Sequence, residues 1–325
     1  MKIKFLLLLL VFFNMPFFAM QEITIQRGST ATQIVKQLKK DGIIRFERPF
    51  YWYLRLTGAT QNLRAGAFVV DPSYSYKKLS RVLQEKEGAA SLTKVTVPEG
   101  YSIIELADEL KKQGLIADSS AYAQYLEKTA KSDLANEFSF LHEYSQDTIE
   151  GYLFPNTYIF AKGLTHKEIT RTFLAEFQRQ VMPLIKKSAG PKLSLHQVIT
   201  LASIVEREAQ VKTEAPQIAG VFHNRLKKGI PLAACPTVGY AIGNPRKKVI
   251  TFNDLKNPSP YNTYKYQGLP PTAIANPGLS SIKATLNPDE TPYLYFVATG
   301  TGTHIFSKTY KEHLAHQRRI LNSRR

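Results

Sequence analysis

The sequence predicts an α+β fold in which short strands and helices follow an apolar N-terminal segment. A strand–turn–helix pattern occurs twice within the first 116 residues, and a helical pattern without Pro or Gly spans Leu195–Gln210. The apolar run Tyr293–Ala298 predicts a buried strand near the C-terminus. At 325 residues the chain can bury more than one core, so we expect two or three domains.

The N-terminal segment has the charge and hydropathy of an export signal. Lys2 and Lys4 precede the apolar run Phe5–Phe13, and Pro16 follows in the same segment. Counted to Met20, the apolar stretch has ~16 residues, fewer than the ~20 that span a bilayer comfortably, so cleavage and retention as an anchor both stay open. Lysines on the cytoplasmic side would place the rest of the chain outside the cytoplasm.

One strand–helix pattern then occurs twice. Residues 22–44 and 94–116 align without a gap at an offset of 72, with identity at Thr24/Thr96, Gly28/Gly100, Leu38/Leu110, Lys39/Lys111, Lys40/Lys112, Gly42/Gly114 and Ile44/Ile116. Each copy has the pattern of an alternating strand, a Gly turn and an amphipathic helix that ends at a Gly. We interpret the pair as an internal repeat of a small strand–helix unit.

Hydrophobic spacing predicts further elements between and after the copies. They are helices over Phe46–Leu56, Ser75–Gln84, Ser120–Ala130 and Lys167–Lys187, and a strand over Ala65–Val70. Residues 88–90 mark a boundary, and Ala189–Lys192 mark a break before the long helix. From Leu226 onward Pro and Gly become frequent, which is typical of a loop-rich region where functional sites are built.

The long helix carries a carboxylate on its apolar face. Ser194 followed by Gln197 has the spacing of a capping box at the helix start. Glu206 falls inside the apolar arc, whereas Arg207 points the opposite way and Glu208 lies at the edge of the arc. A buried carboxylate must be paired or kept protonated with a raised pKa. Glu206 is therefore either a general acid or a structural carboxylate held by a backbone amide or an arginine.

The charge of +17 and the single cysteine restrict the classes of protein. Cys235 has no partner for an internal disulfide. The charge implies an anionic partner, and because the basic residues are scattered in pairs along an exported chain, we expect anionic lipid and acidic wall polymer and no nucleic acid. His304, His313 and His316 lack a further ligand at a recognisable spacing, so we expect no metal and no cofactor.

Five stretches in the second half couple aromatic residues with Asn, Thr, Gly or Pro. They are Ile149–Tyr158 (IEGYLFPNTY), Ala202–Ala209 (ASIVEREA), Val221–Leu226 (VFHNRL), Pro258–Gly278 (PSPYNTYKYQGLPPTAIANPG) and Gly300–Phe306 (GTGTHIF). Aromatic faces stack on sugar rings, while amides and hydroxyls bond to sugar hydroxyl and acetamido groups. Taken together, the stretches indicate a carbohydrate site.

This set of motifs resembles the endolytic murein transglycosylase family, also called MltG or YceG-like, from about residue 22 to the C-terminus. The resemblance implies a single-pass protein of the bacterial inner membrane with its bulk in the periplasm. It implies that the enzyme cleaves MurNAc–GlcNAc bonds inside nascent peptidoglycan strands, leaves 1,6-anhydro-MurNAc ends and terminates strand elongation. Peptidoglycan synthases are implied as partners. The alternative is a non-catalytic peptidoglycan-binding protein of the cell envelope.

The resemblance also divides the chain and assigns residues. It implies a membrane anchor or signal segment (1–20), a LysM-like strand–helix unit (21–90), a second unit that leads into the catalytic part (91–140), and a mixed α/β catalytic domain (141–325) built around the central helix. The family's catalytic Glu falls on Glu206. The expected substrate-binding residues are Glu150, Tyr152, Asn224, Asn262, Tyr264 and His304.

One carboxylate can suffice for such a reaction because the muramoyl 6-hydroxyl acts as an internal nucleophile. Two positions depart from the family pattern. Cys235 stands where an Asp is common, and Thr272 stands where a Gly is common. Cysteine cannot supply a carboxylate acceptor, so a positioning role of that Asp is absent or moved elsewhere.

Overall fold

The computed structural model describes residues 21–72, 74–85, 92–188 and 193–323. The predicted export segment, 1–20, lies outside these ranges. The chain divides into two compact units, Met1–Ala90 and Ser91–Arg325. Within the described ranges, no helix is long and apolar enough to cross a membrane.

The first unit is a two-stranded sheet covered by helices. Its elements are β1 (Gln21–Ile25), α1 (Ala31–Lys40), α2 (Glu47–Leu56), β2 (Gly66–Val70) and α3 (Tyr76–Val82). β1 pairs antiparallel with β2, with Gln21 opposite Val70. Helix α1 begins at a capping box formed by Thr30 and Gln33. The core of this unit includes Leu38, Phe50, Leu54, Val70 and Leu83.

The second unit contains the remaining elements. They are β3 (Leu92–Thr96), α4 (Ile103–Lys112), α5 (Ser119–Lys128), α6 (Ala130–Leu134), β4 (Thr157–Ala161), α7 (His166–Lys187), α8 (Leu195–Glu208), α9 (Ala215–Lys227), α10 (Cys235–Ala241), α11 (Leu279–Leu286), β5 (Tyr295–Ala298), β6 (His304–Ser307) and α12 (Tyr310–Ser323). Strand β3 pairs antiparallel with β4, and β5 pairs antiparallel with β6. The mixed α+β class predicted from the sequence is confirmed.

The internal repeat is visible in the backbone. Gly28 and Gly100 form the turns with φ of 85° and 77°, and Gly42 and Gly114 follow the helices with φ of 73° and 70°. Glycine adopts this left-handed conformation without the steric penalty of a Cβ. The gapless alignment therefore corresponds to one strand–turn–helix structure built twice.

Residues Val198–Val205 of α8 are buried on every side of the helix, whereas Gln197 near its start is exposed, so the prediction of a single apolar arc is corrected for the middle of the helix. Helix α8 packs against α9, α10 and α11. Thr200 and Ser203, on the predicted polar side, are as buried as Val198. Ser203 fits there because its hydroxyl donates to the Thr200 carbonyl (2.7 Å) and accepts from the Ile274 amide (3.0 Å).

The C-terminal strand is also less buried than predicted. It begins at Tyr295 rather than Tyr293, and its side chains are half-buried or exposed. β5 and β6 form a two-stranded ribbon against which α12 and α9 pack, so the ribbon lacks the cover that a central strand has.

Candidate active site

Glu206 lies in the last turn of α8 and is partly buried. Its Oε2 accepts a hydrogen bond of 3.0 Å from the Gly278 amide, at the N-terminal cap of α11. Burial raises the pKa of Glu206, and the negative charge of Glu99 raises it further, while the bonds from Gly278 and Ser281 act in the opposite direction. The net shift is upward, so this carboxyl holds its proton to a higher pH than an ordinary glutamate.

A second carboxylate lies against the same glycine. Glu99, in the turn of the second repeat copy, packs over the Gly278 Cα so closely that a Cβ there would lie 2.0 Å from Glu99 Oε1. Glu99 also forms an ion pair with Lys212. Gly278 thus binds Glu206 through its amide and admits Glu99 beside its Cα, which brings two carboxylates and a lysine together.

Asn276 ties three segments to this point. Its Oδ1 accepts from the amides of Gly151 (3.0 Å) and Leu153 (2.9 Å), and its Nδ2 donates to the Tyr101 carbonyl (2.9 Å). Its backbone amide donates to Tyr101, and its carbonyl accepts from the Gly100 amide. The side chain is fully buried. Because Gly278 follows two residues later, Asn276 fixes the loop that presents the amide to Glu206.

Glu150 is a buried carboxyl beneath the site. Its two oxygens accept from the Ile103 amide at 3.1 and 3.0 Å, at the start of α4, and Tyr240 donates at 3.3 Å. Only 1% of the residue is exposed, and burial raises its pKa to about 8. The structure therefore places Glu150 under the second repeat copy rather than on a surface that a sugar could reach.

Arg207 is the second correction to the helical arc. Although it points away from Glu206, its guanidinium is buried and donates to the Gly100 carbonyl (2.9 Å) and to Pro245. It also lies 3.6 Å from the Glu105 carboxylate. Arg207 therefore binds the Gly100 turn, and a Cβ at Gly100 would lie 3.4 Å from the Glu206 Cγ, so both neighbouring side chains of α8 lie against this turn.

Three of the predicted substrate-binding residues have side chains that are engaged within the fold. The buried Tyr152 ring stacks on Tyr144 at 5.0 Å. Asn224 donates to the carbonyls of Thr291 (2.6 Å) and Tyr293 (3.0 Å). Asn262 is fully buried, and its Nδ2 donates to two carbonyls of its own loop at 2.9 Å each. These contacts shape loops, and the structure does not bring the three side chains to Glu206.

The two other predicted residues are closer to solvent or to a charged group. His304 Nδ1 lies 2.8 Å from Glu214. Tyr264 is 37% exposed, and its hydroxyl lies 3.1 Å from Cys235 Sγ. Burial raises the pKa of the Cys235 thiol, so it stays protonated at neutral pH. The carboxyl of Glu208 is also buried here, which raises its pKa to about 7.

Sequence reasoning missed Glu99, Lys212, Asn276 and Gly278. The repeat contained a signal for Glu99. An offset of 72 aligns Glu99 with Arg27, so the charge is reversed between the copies at the position before the turn glycine that both copies share. Asn276 and Gly278 lie inside the motif Pro258–Gly278, but no local sequence pattern distinguished them from its other residues. Their importance comes from contacts with residues more than 70 positions away.

Comparison with known proteins identifies the class to which this fold belongs. Residues 23–319 match the model of the YceG-like family, and the chain belongs to that family. The crystal structure of a yceG-like protein from Listeria monocytogenes superposes with a TM-score of 0.62 at 32% identity, covering 91% of this chain and 98% of that one.

Two relatives carry a more specific name. The endolytic murein transglycosylase of Bacillus subtilis is 36% identical over 313 residues, which are 93% of this chain and 85% of that protein. The protein of the same name from Streptococcus pneumoniae serotype 2 is 28% identical over 308 residues, and the match spans 56% of its length.

Proposed function

We propose that this chain is an endolytic lytic transglycosylase that cleaves MurNAc–GlcNAc bonds inside peptidoglycan strands, with Glu206 as its acid and base. The observation that carries the assignment is the environment of Glu206, a carboxyl with a raised pKa held by Gly278 beside Glu99. Family membership and the name of the relatives give the substrate class.

Glu206 acts first as an acid. Its proton passes to the glycosidic oxygen as the bond to the muramoyl C1 breaks, which leaves an oxocarbenium-like sugar and the Glu206 carboxylate. That carboxylate then takes the proton of the muramoyl 6-hydroxyl as its oxygen bonds to C1 and closes the 1,6-anhydro ring. The proton returns to Glu206, and no water is consumed.

The neighbouring groups support each step. The Gly278 amide stabilises the Glu206 carboxylate that forms after proton transfer. The negative charge of Glu99 raises the pKa of Glu206 and so opposes its early ionisation, and it lies near the developing positive charge of the sugar. Lys212 forms an ion pair with Glu99. A second glutamate therefore assists electrostatically without acting as a nucleophile.

The finer assignments are part of the same proposal. We propose that residues 1–20 anchor the chain in the inner membrane or direct its export, that 21–90 form a LysM-like unit, and that the enzyme terminates strands next to peptidoglycan synthases. We place 91–140 together with 141–325 in the catalytic region, because Glu99 and Gly100 contact the surroundings of Glu206. Asn262 was predicted to bind substrate, but its bonds to two carbonyls support a role in shaping its loop instead, while for Tyr264 we keep the predicted role of binding the glycan.

Digestion of purified peptidoglycan, with the fragments identified by mass spectrometry, tests the proposal. Wild type should release fragments with anhydro ends, and Glu206→Gln should lower the rate by about 10²–10⁴-fold because the proton donor is lost. Glu127→Gln, an exposed glutamate on α5, is the matched control and should retain activity. Reducing ends would indicate a hydrolase, and binding without cleavage would indicate the wall-binding alternative.

A further inference from the structure

The solvent face of α2 combines arginines with large apolar side chains. Arg48, Trp52, Arg55 and Leu56 follow helical spacing along one exposed stripe, and Phe46 precedes the helix. Trp52 is 53% exposed, Leu56 82% and Phe46 55%. The opposite face, with Phe50 and Leu54, is buried in the unit core. The fold thus leaves an apolar surface exposed to solvent. Exposed apolar patches of this kind mark interaction sites.

The charges on this stripe have one sign. Within the described part of the chain, neither Arg48 nor Arg55 forms an ion pair, and Arg55 lies over the Trp52 ring at 5.4 Å. The carboxylate of the helix, Glu47, is partly buried and pairs with Lys39 at 3.3 Å. Residues 21–85 carry eleven Lys and Arg against five Asp and Glu, a net charge of +6. The partner should therefore be apolar and anionic together.

The chain outside the described residues points to the same partner. The apolar segment ends at Met20, and β1 begins at Gln21, so no linker separates that segment from the first unit. A unit of about 65 residues has a radius of gyration of about 11 Å. If the segment lies in a bilayer, the unit is held within about its own diameter of the lipid head groups.

We propose that the α2 stripe docks on the surface of an anionic lipid membrane. Trp52, Leu56 and Phe46 enter the head-group boundary, and Arg48 and Arg55 contact lipid phosphates, as in helices that lie in the plane of a membrane interface. Docking would fix the first unit on the bilayer and limit how far from the membrane the chain reaches its glycan. The inference is independent of the reaction at Glu206.

Trp52 is the only tryptophan of the chain, so its fluorescence reports on this stripe alone. The described cores begin after Met20, and a protein that starts at Gln21 retains them. Mixed with vesicles of equal parts phosphatidylcholine and phosphatidylglycerol, this protein should shift its emission to the blue and be quenched by brominated lipid. With phosphatidylcholine alone the emission should not shift.

Charge variants separate docking from general attraction. Arg48→Gln with Arg55→Gln should weaken partitioning by about 25-fold, since each basic residue at an anionic surface contributes about fivefold. Arg27→Gln with Lys36→Gln removes two exposed charges of the same unit and should keep most of the affinity. Arg48→Lys with Arg55→Lys should restore it. Leu56→Ser should reduce the blue shift with all charges intact.

Three results would overturn the inference. The first is an unchanged Trp52 emission with the anionic vesicles. The second is an equal loss of affinity in the two double-glutamine variants. The third is a shift of the Trp52 emission with soluble glycan strands but not with vesicles, which would make the stripe a sugar-binding surface. Emission in buffer and peptidoglycan cleavage should stay at the wild-type level in the Arg48 and Arg55 variants, which checks that they fold.

Discussion

The two repeat copies have the same backbone and face different surroundings. At Gly28, in the first copy, an added Cβ would meet no atom within 4 Å, whereas at Gly100 it would lie 3.4 Å from the Glu206 Cγ. Beside these glycines the exposed Arg27 corresponds to Glu99, which packs on Gly278. The local sequence determines the turn in both copies. Only the second turn is built into the candidate active site, because the loop that holds Gly278 closes over it.

The pairing of the strands explains why only the second copy contributes to the candidate active site. β1 pairs with β2, which lies about 40 residues further along the first unit, while β3 pairs with β4, whose first two residues, Thr157 and Tyr158, end the IEGYLFPNTY motif. Pairing with β4 brings that motif, and with it Glu150, under α4. A single strand–helix unit has thus served once as part of a small domain and once as a wall of a catalytic site.

The largest loss of stability should follow from removing the Asn276 side chain, which binds the turn of the second copy. In Asn276→Ala the buried amides of Gly151 and Leu153 lose their acceptor, at a cost of roughly 1–3 kcal/mol each, so we expect a total loss of about 3–5 kcal/mol. Gln37→Ala, which removes an exposed bond to the Thr24 carbonyl in the first copy, should cost less than about 1 kcal/mol. Urea unfolding followed by circular dichroism measures both, and equal losses would refute the distinction.

Glu150 should make the second unit sensitive to pH. Its carboxyl has a pKa of about 8 in the folded state and an ordinary value of 4.5, so the folded protein binds more protons between these values. Its contribution to stability is full below pH 4.5 and is lost as the pH rises to about 8. The wild type should therefore lose more stability than Glu150→Gln between pH 5 and 8. If wild type and Glu150→Gln gave parallel curves of melting temperature against pH, the buried and protonated state of the Glu150 carboxyl would be contradicted.

Alanine at the two turn glycines should cost stability equally and activity unequally. Because φ is positive at both, Gly28→Ala and Gly100→Ala should each lose about 1 kcal/mol. Only Gly100→Ala places a methyl group against Glu206, so we expect about a tenfold loss of cleavage rate there and none at Gly28. Thermal unfolding and peptidoglycan digestion on the same preparations give both numbers. Full activity in Gly100→Ala would separate the second turn from the site.

Local features of the chain were predictable, and their contacts were not. The start of α8 followed from Ser194 and Gln197, which form the expected capping box, and the repeat followed from its glycines. Glu206 was found because burial and helical spacing act within one helix. Asn276 contacts Tyr101 across 175 positions, and Glu99 contacts Lys212 across 113. A local sequence pattern cannot reveal contacts across such separations, since these contacts depend on how distant segments of the second unit pack together.

The coupling between Glu99 and the proposed acid, Glu206, can be measured through the pH dependence of cleavage in Glu99→Gln. Glu206 must be protonated to act, so kcat/KM should fall as the pH rises through its pKa. Removal of the Glu99 charge lowers that pKa, and the unpaired Lys212 lowers it further, so the alkaline limb should move to lower pH. Arg27→Gln, the equivalent position of the first copy, should leave the profile unchanged. A profile in Glu99→Gln identical to that of wild type would contradict the role of Glu206 as an acid whose pKa Glu99 raises.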